Sequence, residues 1–292
     1  MMAERRSDPV WTQIMADIGQ SHQTRQEIYA GLEVELGKPV VTLFTSFVNA
    51  APLADADADM LEGVLQNMDL SEGFVLAINS PGGSGLAAER IINICRGYSG
   101  TGEYQAFVPN KAKSAATMVC LGASQIFMGP SSELGPVDPQ LTDAQTGQWF
   151  SVYNLVQSYD DLFKRAVEAN GNLEPYIQQL GRYDEREIQE LRQELALSED
   201  IATRTLAKGM MAGISESDIG EQIKVFLTPE RTKTHGRPIY RDEALECGLA
   251  IKPVEVKERL WELAFELYLR ANVYVSTNVT KCVETKDHAF FA

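Results

Sequence analysis

Ile78-Asn79-Ser80-Pro81-Gly82-Gly83 and Lys113-Ser114-Ala115-Ala116-Thr117-Met118 are the stretches whose reading decides the fold. Each stands where a β-like apolar run gives way to a helix-like one. Residues 74–78 are too uniformly apolar to be half exposed, as expected of a strand in a parallel sheet covered on both faces. After the Pro-Gly-Gly turn, 86–98 reads as a helix with Leu86, Ile91, Ile94 and Cys95 inward. A strand at 104–108, a helix at 114–122 and a short strand at 125–128 follow. Upstream, the β-branched and aromatic run 40–48 predicts a strand, and 57–68 a helix. Such regular alternation is most economically a parallel α/β layer with right-handed crossovers.

Outward from this core the pattern changes. Residues 8–36 read as an amphipathic helix, broken near 19–26 and stopped by Gly37-Lys38-Pro39. Residues 150–227 read as several helices with breaks near Gly171, Gly181 and Gly213. A turn-rich stretch, 228–238, leads to helices at 241–247 and 254–271, and the tail from 277 carries no pattern of its own. The expected organisation is an N-terminal helical segment (1–36), an α/β core (37–150) and a helical extension packed on it (151–292).

With 41 acidic residues against 26 basic ones, the formal charge is −15. That argues against a nucleic-acid or anionic-membrane partner, either of which demands a basic face. Cys95, Cys120, Cys247 and Cys282 lie far apart and form no metal-type pair, so they read as inert buried thiols of a reducing compartment. Three dispersed histidines, His22, His235 and His288, make a zinc site unexpected. No signal-peptide pattern and no apolar run near the roughly 18 residues of a membrane span is present. The expected location is the cytoplasm, with no metal or cofactor.

The two opening stretches combine into chemistry. A glycine turn offers backbone amides with no side chain in the way, and Ser114 offers a hydroxyl at a helix N-terminus. Acyl transfer needs both, as donors for an oxyanion and as a nucleophile. Each has a plainer reading: a tight turn needing positive φ, and a helix N-cap. Gly83-Ser84-Gly85-Leu86-Ala87-Ala88 also fits G-x-G-x-x-A, with Glu103 near the distance a dinucleotide site requires, although Glu103 opens a strand instead of closing one.

Together the stretches resemble the Clp-protease/crotonase superfamily, and specifically its serine dehydrogenase proteinase family, related to signal peptide peptidase A. The similarity continues through Met128-Gly129-Pro130-Ser131-Ser132-Glu133-Leu134-Gly135-Pro136-Val137-Asp138-Pro139-Gln140 and, more weakly, His235-Gly236-Arg237-Pro238-Ile239. The resemblance implies an α/β fold built as a ClpP/crotonase-like spiral of ββα units with a helical C-terminal extension. It implies a serine endopeptidase of peptide or protein substrates, assembled as a homo-oligomeric ring or dome. Ser114 becomes the nucleophile, and the amides around Gly82, Gly83 and Ala115 become oxyanion donors.

The general base stays open. Clp-type peptidases take a histidine from the segment after the nucleophile helix, and 134–140 holds none. Lys164 follows Ser114 by 50 residues, a spacing like that of the Ser-Lys dyad in signal peptide peptidase A. A lysine serves as base only where burial lowers its pKa, and the acidic surroundings of Lys164 point to the surface. His235 needs no such tuning, but nothing in the sequence places it beside Ser114. Asp138 reads as a turn starter or as the group orienting a base, and Lys113 as a solvated loop lysine. Two further readings stand beside the peptidase. One is a Clp-fold scaffold that binds peptide without cleaving it. The other is crotonase-type acyl-CoA chemistry, for which 109–120 lacks an acidic base.

Overall fold

The computed structural model describes residues 11, 12, 14, 21–49, 51–142, 147 and 149–292. Much of the predicted N-terminal helix, including Val10, Met15 and Ile18, lies outside them. The first full helix is α1 (Gln26–Leu36), ended by Gly37 in the left-handed conformation. Then come β1 (Val40–Thr45), α2 (Asp55–Leu65), β2 (Val75–Asn79), α3 (Gly85–Tyr98), β3 (Gln105–Val108) and β4 (Lys111–Ala112). They are followed by α4 (Ala115–Leu121), β5 (Ile126–Met128), β6 (Glu133–Leu134), β7 (Gln140–Thr142) and β8 (Trp149–Ser151). Seven helices come next: α5 (Val152–Glu168), α6 (Glu174–Leu180), α7 (Glu185–Ala207), α8 (Glu216–Gln222), α9 (Lys224–Leu227), α10 (Pro229–Thr232) and α11 (Arg241–Glu246). The chain closes with β9 (Ile251–Pro253), α12 (Arg259–Thr277), β10 (Lys281–Glu284) and β11 (Ala289–Phe291).

The main sheet runs β11-β10-β1-β2-β3-β5-β9, parallel from β1 to β9. Its central strands β1 and β2 are buried on both faces, which is why they read as continuous apolar runs. The two-residue period sorts them. Val41, Leu43, Leu76 and Ile78 face a core closed by α2, α3, α4 and α7, while Val40, Phe44, Val75 and Ala77 face α1 and α12.

Beyond the carboxyl ends of these strands runs a second, short ladder. Leu53 pairs Gly83, Ser80 pairs Ala112, β4 pairs β6, and Leu134 pairs Ile239. Each turn of the chain thus lays down a long strand, a short strand and then, in the units carrying the two motifs, a helix. This is the expected spiral of ββα units.

The C-terminal part differs from the purely helical expectation. Residues 251–253, 281–284 and 289–291 give three strands to the main sheet, β10 pairing antiparallel with β1 in the register Thr42 to Glu284. A buried Arg25–Glu284 ion pair, with Tyr29 bonded to both Thr42 and Glu284, fixes that edge. The helix predicted at 254–271 is α12, shifted towards the C-terminus. All four cysteines are buried thiols, and burial pushes those of Cys95 and Cys120 well up. Among the described residues no helix is long and apolar enough to cross a membrane.

Candidate active site

The glycine turn and the serine turn are stitched together by backbone. The Ser80 N–H donates to the Lys111 carbonyl and the Lys113 N–H to the Ser80 carbonyl, both at 3.0 Å. The buried Ser80 hydroxyl accepts from Thr45 Oγ1 at 2.8 Å and from the Gly82 N–H at 3.1 Å, which locks the turn from inside. Gly82 has φ 98°, and a Cβ there would lie 2.5 Å from the Lys113 carbonyl oxygen and 2.7 Å from Ser114 Cβ. A Cβ on Gly83 would lie 2.3 Å from the Leu53 oxygen. These glycines are required because other backbone passes where a side chain would sit. Gly83→Ala is therefore expected to displace residue 53 or the turn, costing a few kcal/mol (about 1–3). A drop in urea midpoint checks it.

Ser114 stands at φ 51°, ψ −120°, a conformation that non-glycine residues rarely adopt. Strain of this kind costs on the order of 1–3 kcal/mol and concentrates at functional sites. The following helix, α4, is buried throughout. Thr117 fastens it, its Oγ1 donating to the Ala112 carbonyl at 2.7 Å and accepting from the Gly135 N–H at 3.0 Å. Among the described residues Ser114 Oγ, the Gly83 N–H and the Ala115 N–H have no hydrogen-bond partner, so a hydroxyl and two amides are left available. Gly82 corrects the expectation: its N–H is committed to Ser80. Lys113 corrects another. It is no solvated loop lysine but mostly buried, donating to the Leu134 carbonyl at 3.0 Å and pairing with Glu133 at 2.8 Å. Burial pulls its pKa below the ordinary lysine value despite that carboxylate.

His235 reaches the same place from the far end of the chain. The segment carrying it is bonded to residues 134–137 on both sides. The Val137 N–H donates to the Phe226 carbonyl at 2.7 Å, and Leu134 and Ile239 exchange two backbone bonds at 3.0 Å. Between these anchors His235 Nδ1 lies 2.8 Å from Asp138 Oδ1. Asp138 is buried, and its other oxygen accepts from Ser151 Oγ at 2.9 Å and Gln140 Nε2 at 2.8 Å. An ionised carboxylate only accepts, so this bond puts the proton of a neutral ring on Nδ1 and leaves Nε2 as the acceptor. Tyr153 OH donates to Glu230 Oε1 at 2.6 Å, tying α10 to α5. Burial and that bond push the phenol up to about 12.

Ser114, Gly82, Gly83, Ala115 and His235 line one open cleft of about 1100 Å³. Lys164 does not line it. It lies exposed on α5, without the burial a lysine base needs, so the expectation of Lys164 as base is not met by its placement. Sequence reasoning missed Ser151 and Gln140 as partners of Asp138. Ser151 carries only the signal of an N-cap, which it also is, for α5. Ser151→Ala is expected to lower any His235-dependent rate about tenfold while leaving peptide affinity near wild type, because it loosens the carboxylate and its hydroxyl is spent on Asp138. Separate kcat and KM values check this.

A sequence model of the family described as ClpP-like SDH-type serine proteinase matches residues 62–162. An uncharacterised protein of Methanocaldococcus jannaschii is 30% identical over 199 residues, which cover 66% of this chain and 57% of that protein. The chain therefore spans little more than half the length of that curated relative. Among solved structures, a lysine-to-alanine mutant of a membrane-bound stomatin-specific protease, in complex with a substrate peptide, covers 75% of this chain and 94% of its own. Its identity is 15% and its TM-score 0.30, too loose to bear on the site. Over the matched segment, which holds the glycine turn, Ser114 and Asp138, the chain is similar to the ClpP-like SDH-type serine proteinase family.

Proposed function

We propose that the chain is a serine endopeptidase working through an acyl-enzyme on Ser114. In this reading His235 Nε2 takes the Ser114 proton as the hydroxyl attacks the scissile carbonyl, and returns it to the leaving amine. Asp138 holds the ring in the tautomer this requires. The Gly83 and Ala115 amides receive the oxyanion as the carbonyl carbon becomes tetrahedral. The observation that carries the reading is the 2.8 Å His235–Asp138 bond in the wall of the cleft that holds a strained serine and two unpartnered amides. The chain order, serine, aspartate, histidine, is no obstacle, since such constellations are recognised by geometry and role. A cytoplasmic ring or dome of copies of this chain belongs to the same proposal. Apolar side chains exposed on α5 and α6, Phe163, Val167 and Ile177, support it.

A second reading is a peptide-binding scaffold with little or no turnover. What favours it is that Ser114 Oγ makes no hydrogen bond to His235, although catalytic bonds often tighten only when substrate is bound. Internally quenched peptides incubated with the protein, and followed in parallel by mass spectrometry and by binding, separate the two. Ser114-dependent fragments support the peptidase. Tight binding with no cleavage supports the scaffold.

A further inference from the structure

The chain carries a formal charge of −15, yet the described residues lining the Ser114 cleft include no Asp, Glu or Arg. Apart from His235, their one ionisable side chain is Lys233. The remainder is neutral, with Phe47, Val48 and Trp149 exposed on the rims, Val48 at 77% and Trp149 at 72%. No carboxylate among the described lining residues repels an incoming anion, and the one behind them, Asp138, is already bonded to His235, Ser151 and Gln140. Once a peptide displaces water there, the one remaining ammonium acts through a lower dielectric than at an open surface.

Lys233 holds its position against backbone preference. It closes α10 with φ 64° in the left-handed region, where helices usually end on Gly or Asn. Beside Ser114 it is the only other non-glycine residue at positive φ among the described ones. Its ammonium donates to the Glu230 carbonyl, and among the described residues it is in no ion pair, Glu230 itself being held by Tyr153 and Lys224. The residue stands two positions before His235. Both residues line the cleft, and in the peptidase reading the histidine that returns its proton has the leaving group beside it, which is the side assigned below to Lys233.

We propose that Lys233 is a specificity-determining residue whose ammonium receives a substrate carboxylate just past the scissile bond. That carboxylate is either the free C-terminus of the peptide or the side chain of an Asp or Glu. The proposal deepens the peptidase reading and rests on it for the position of the scissile bond.

Its test is scored on binding, so that it can fail separately from that reading. Three N-terminally labelled apolar peptides are titrated by fluorescence anisotropy against full-length Ser114→Ala protein. One ends in a free carboxylate, one in the amide, and one in the amide with Glu as the last residue. A carboxylate-bearing form is expected to bind about tenfold tighter than the neutral amide, an advantage that shrinks as salt is raised. A gain by the first peptide alone assigns the C-terminus, and a gain by the third assigns the side chain. In the Ser114→Ala/Lys233→Asn double variant the advantage disappears, with asparagine chosen because it tolerates the left-handed backbone. Lys233→Arg retains it. No carboxylate advantage, or one that survives Lys233→Asn, overturns the proposal. Absence of turnover by the wild type would instead overturn the peptidase reading and leave the binding preference standing.

Discussion

Ser114→Ala is expected to lower peptide hydrolysis by about 10⁴- to 10⁶-fold while leaving peptide affinity within a few-fold of wild type. The nucleophile acts as one unit with its base, so its loss removes covalent catalysis altogether. Only positioning and the two amides remain, and these do not depend on the hydroxyl. The same residue carries a stability signature. At φ 51°, ψ −120°, alanine is as strained as serine, whereas glycine is at ease. Ser114→Gly should therefore be as inactive as Ser114→Ala yet more stable than it by about 1 kcal/mol, after glycine's greater entropy loss on folding offsets part of the relieved strain. Urea unfolding of the two variants measures the difference. A serine that merely capped α4 would show the stability effect without the catalytic one.

The second large effect belongs to the His235–Asp138 pair. His235→Ala is expected to cost about as much as Ser114→Ala, and the double variant no more than either single one, since a base without its nucleophile has nothing to activate. Asp138→Asn should cost about 10⁴-fold in kcat with little change in KM. An asparagine amide can donate to Nδ1, which moves the ring proton to Nε2 and removes the acceptor that the proposed base step requires. Because Asp138 is buried and bonded to Ser151 and Gln140 as well, the asparagine variant is preferable to alanine, which would take this acceptor away from three donors. Steady-state kinetics on the three variants and the double variant form a complete cycle. Additive losses would show that the histidine and serine do not work together.

The fold was legible wherever local pattern and global position agree. The β1 and β2 runs are continuous because both faces of the sheet are covered, and a strand buried on both faces has no polar alternation to confuse with a helix. The glycine turn was legible because close backbone approach leaves no alternative residue. The last strands were not. Nothing in 277–292 shows a pattern until β1 is in place to pair Thr42 with Glu284, an edge fixed by a buried ion pair to Arg25. Lys113 was misread for a related reason. Its burial is created by β6, which carries Glu133, and not by its own neighbours in the chain.

The site divides in the same way. Ser114 and the amides of Gly83 and Ala115 sit in two motifs joined by adjacent strands, so sequence alone gathers them. His235 and Asp138 are separated by 97 positions. They meet because 226 and 239 are bonded to 137 and 134 across a ladder no local pattern announces. Asp138, next to Pro139, reads as a turn residue from its neighbours. Its bond to His235 becomes visible only once the segment from 226 to 239 is laid over it, and its bond to Ser151 only once β8 pairs with β7.

The most direct measurement is covalent. Treatment of the full-length protein with a fluorophosphonate, followed by peptide mapping, should show a single adduct on Ser114. The rate of modification should fall by at least about 10²-fold in His235→Ala, the scale of one general base. Modification elsewhere, none at all, or an equal rate in the His235→Ala protein would contradict the account.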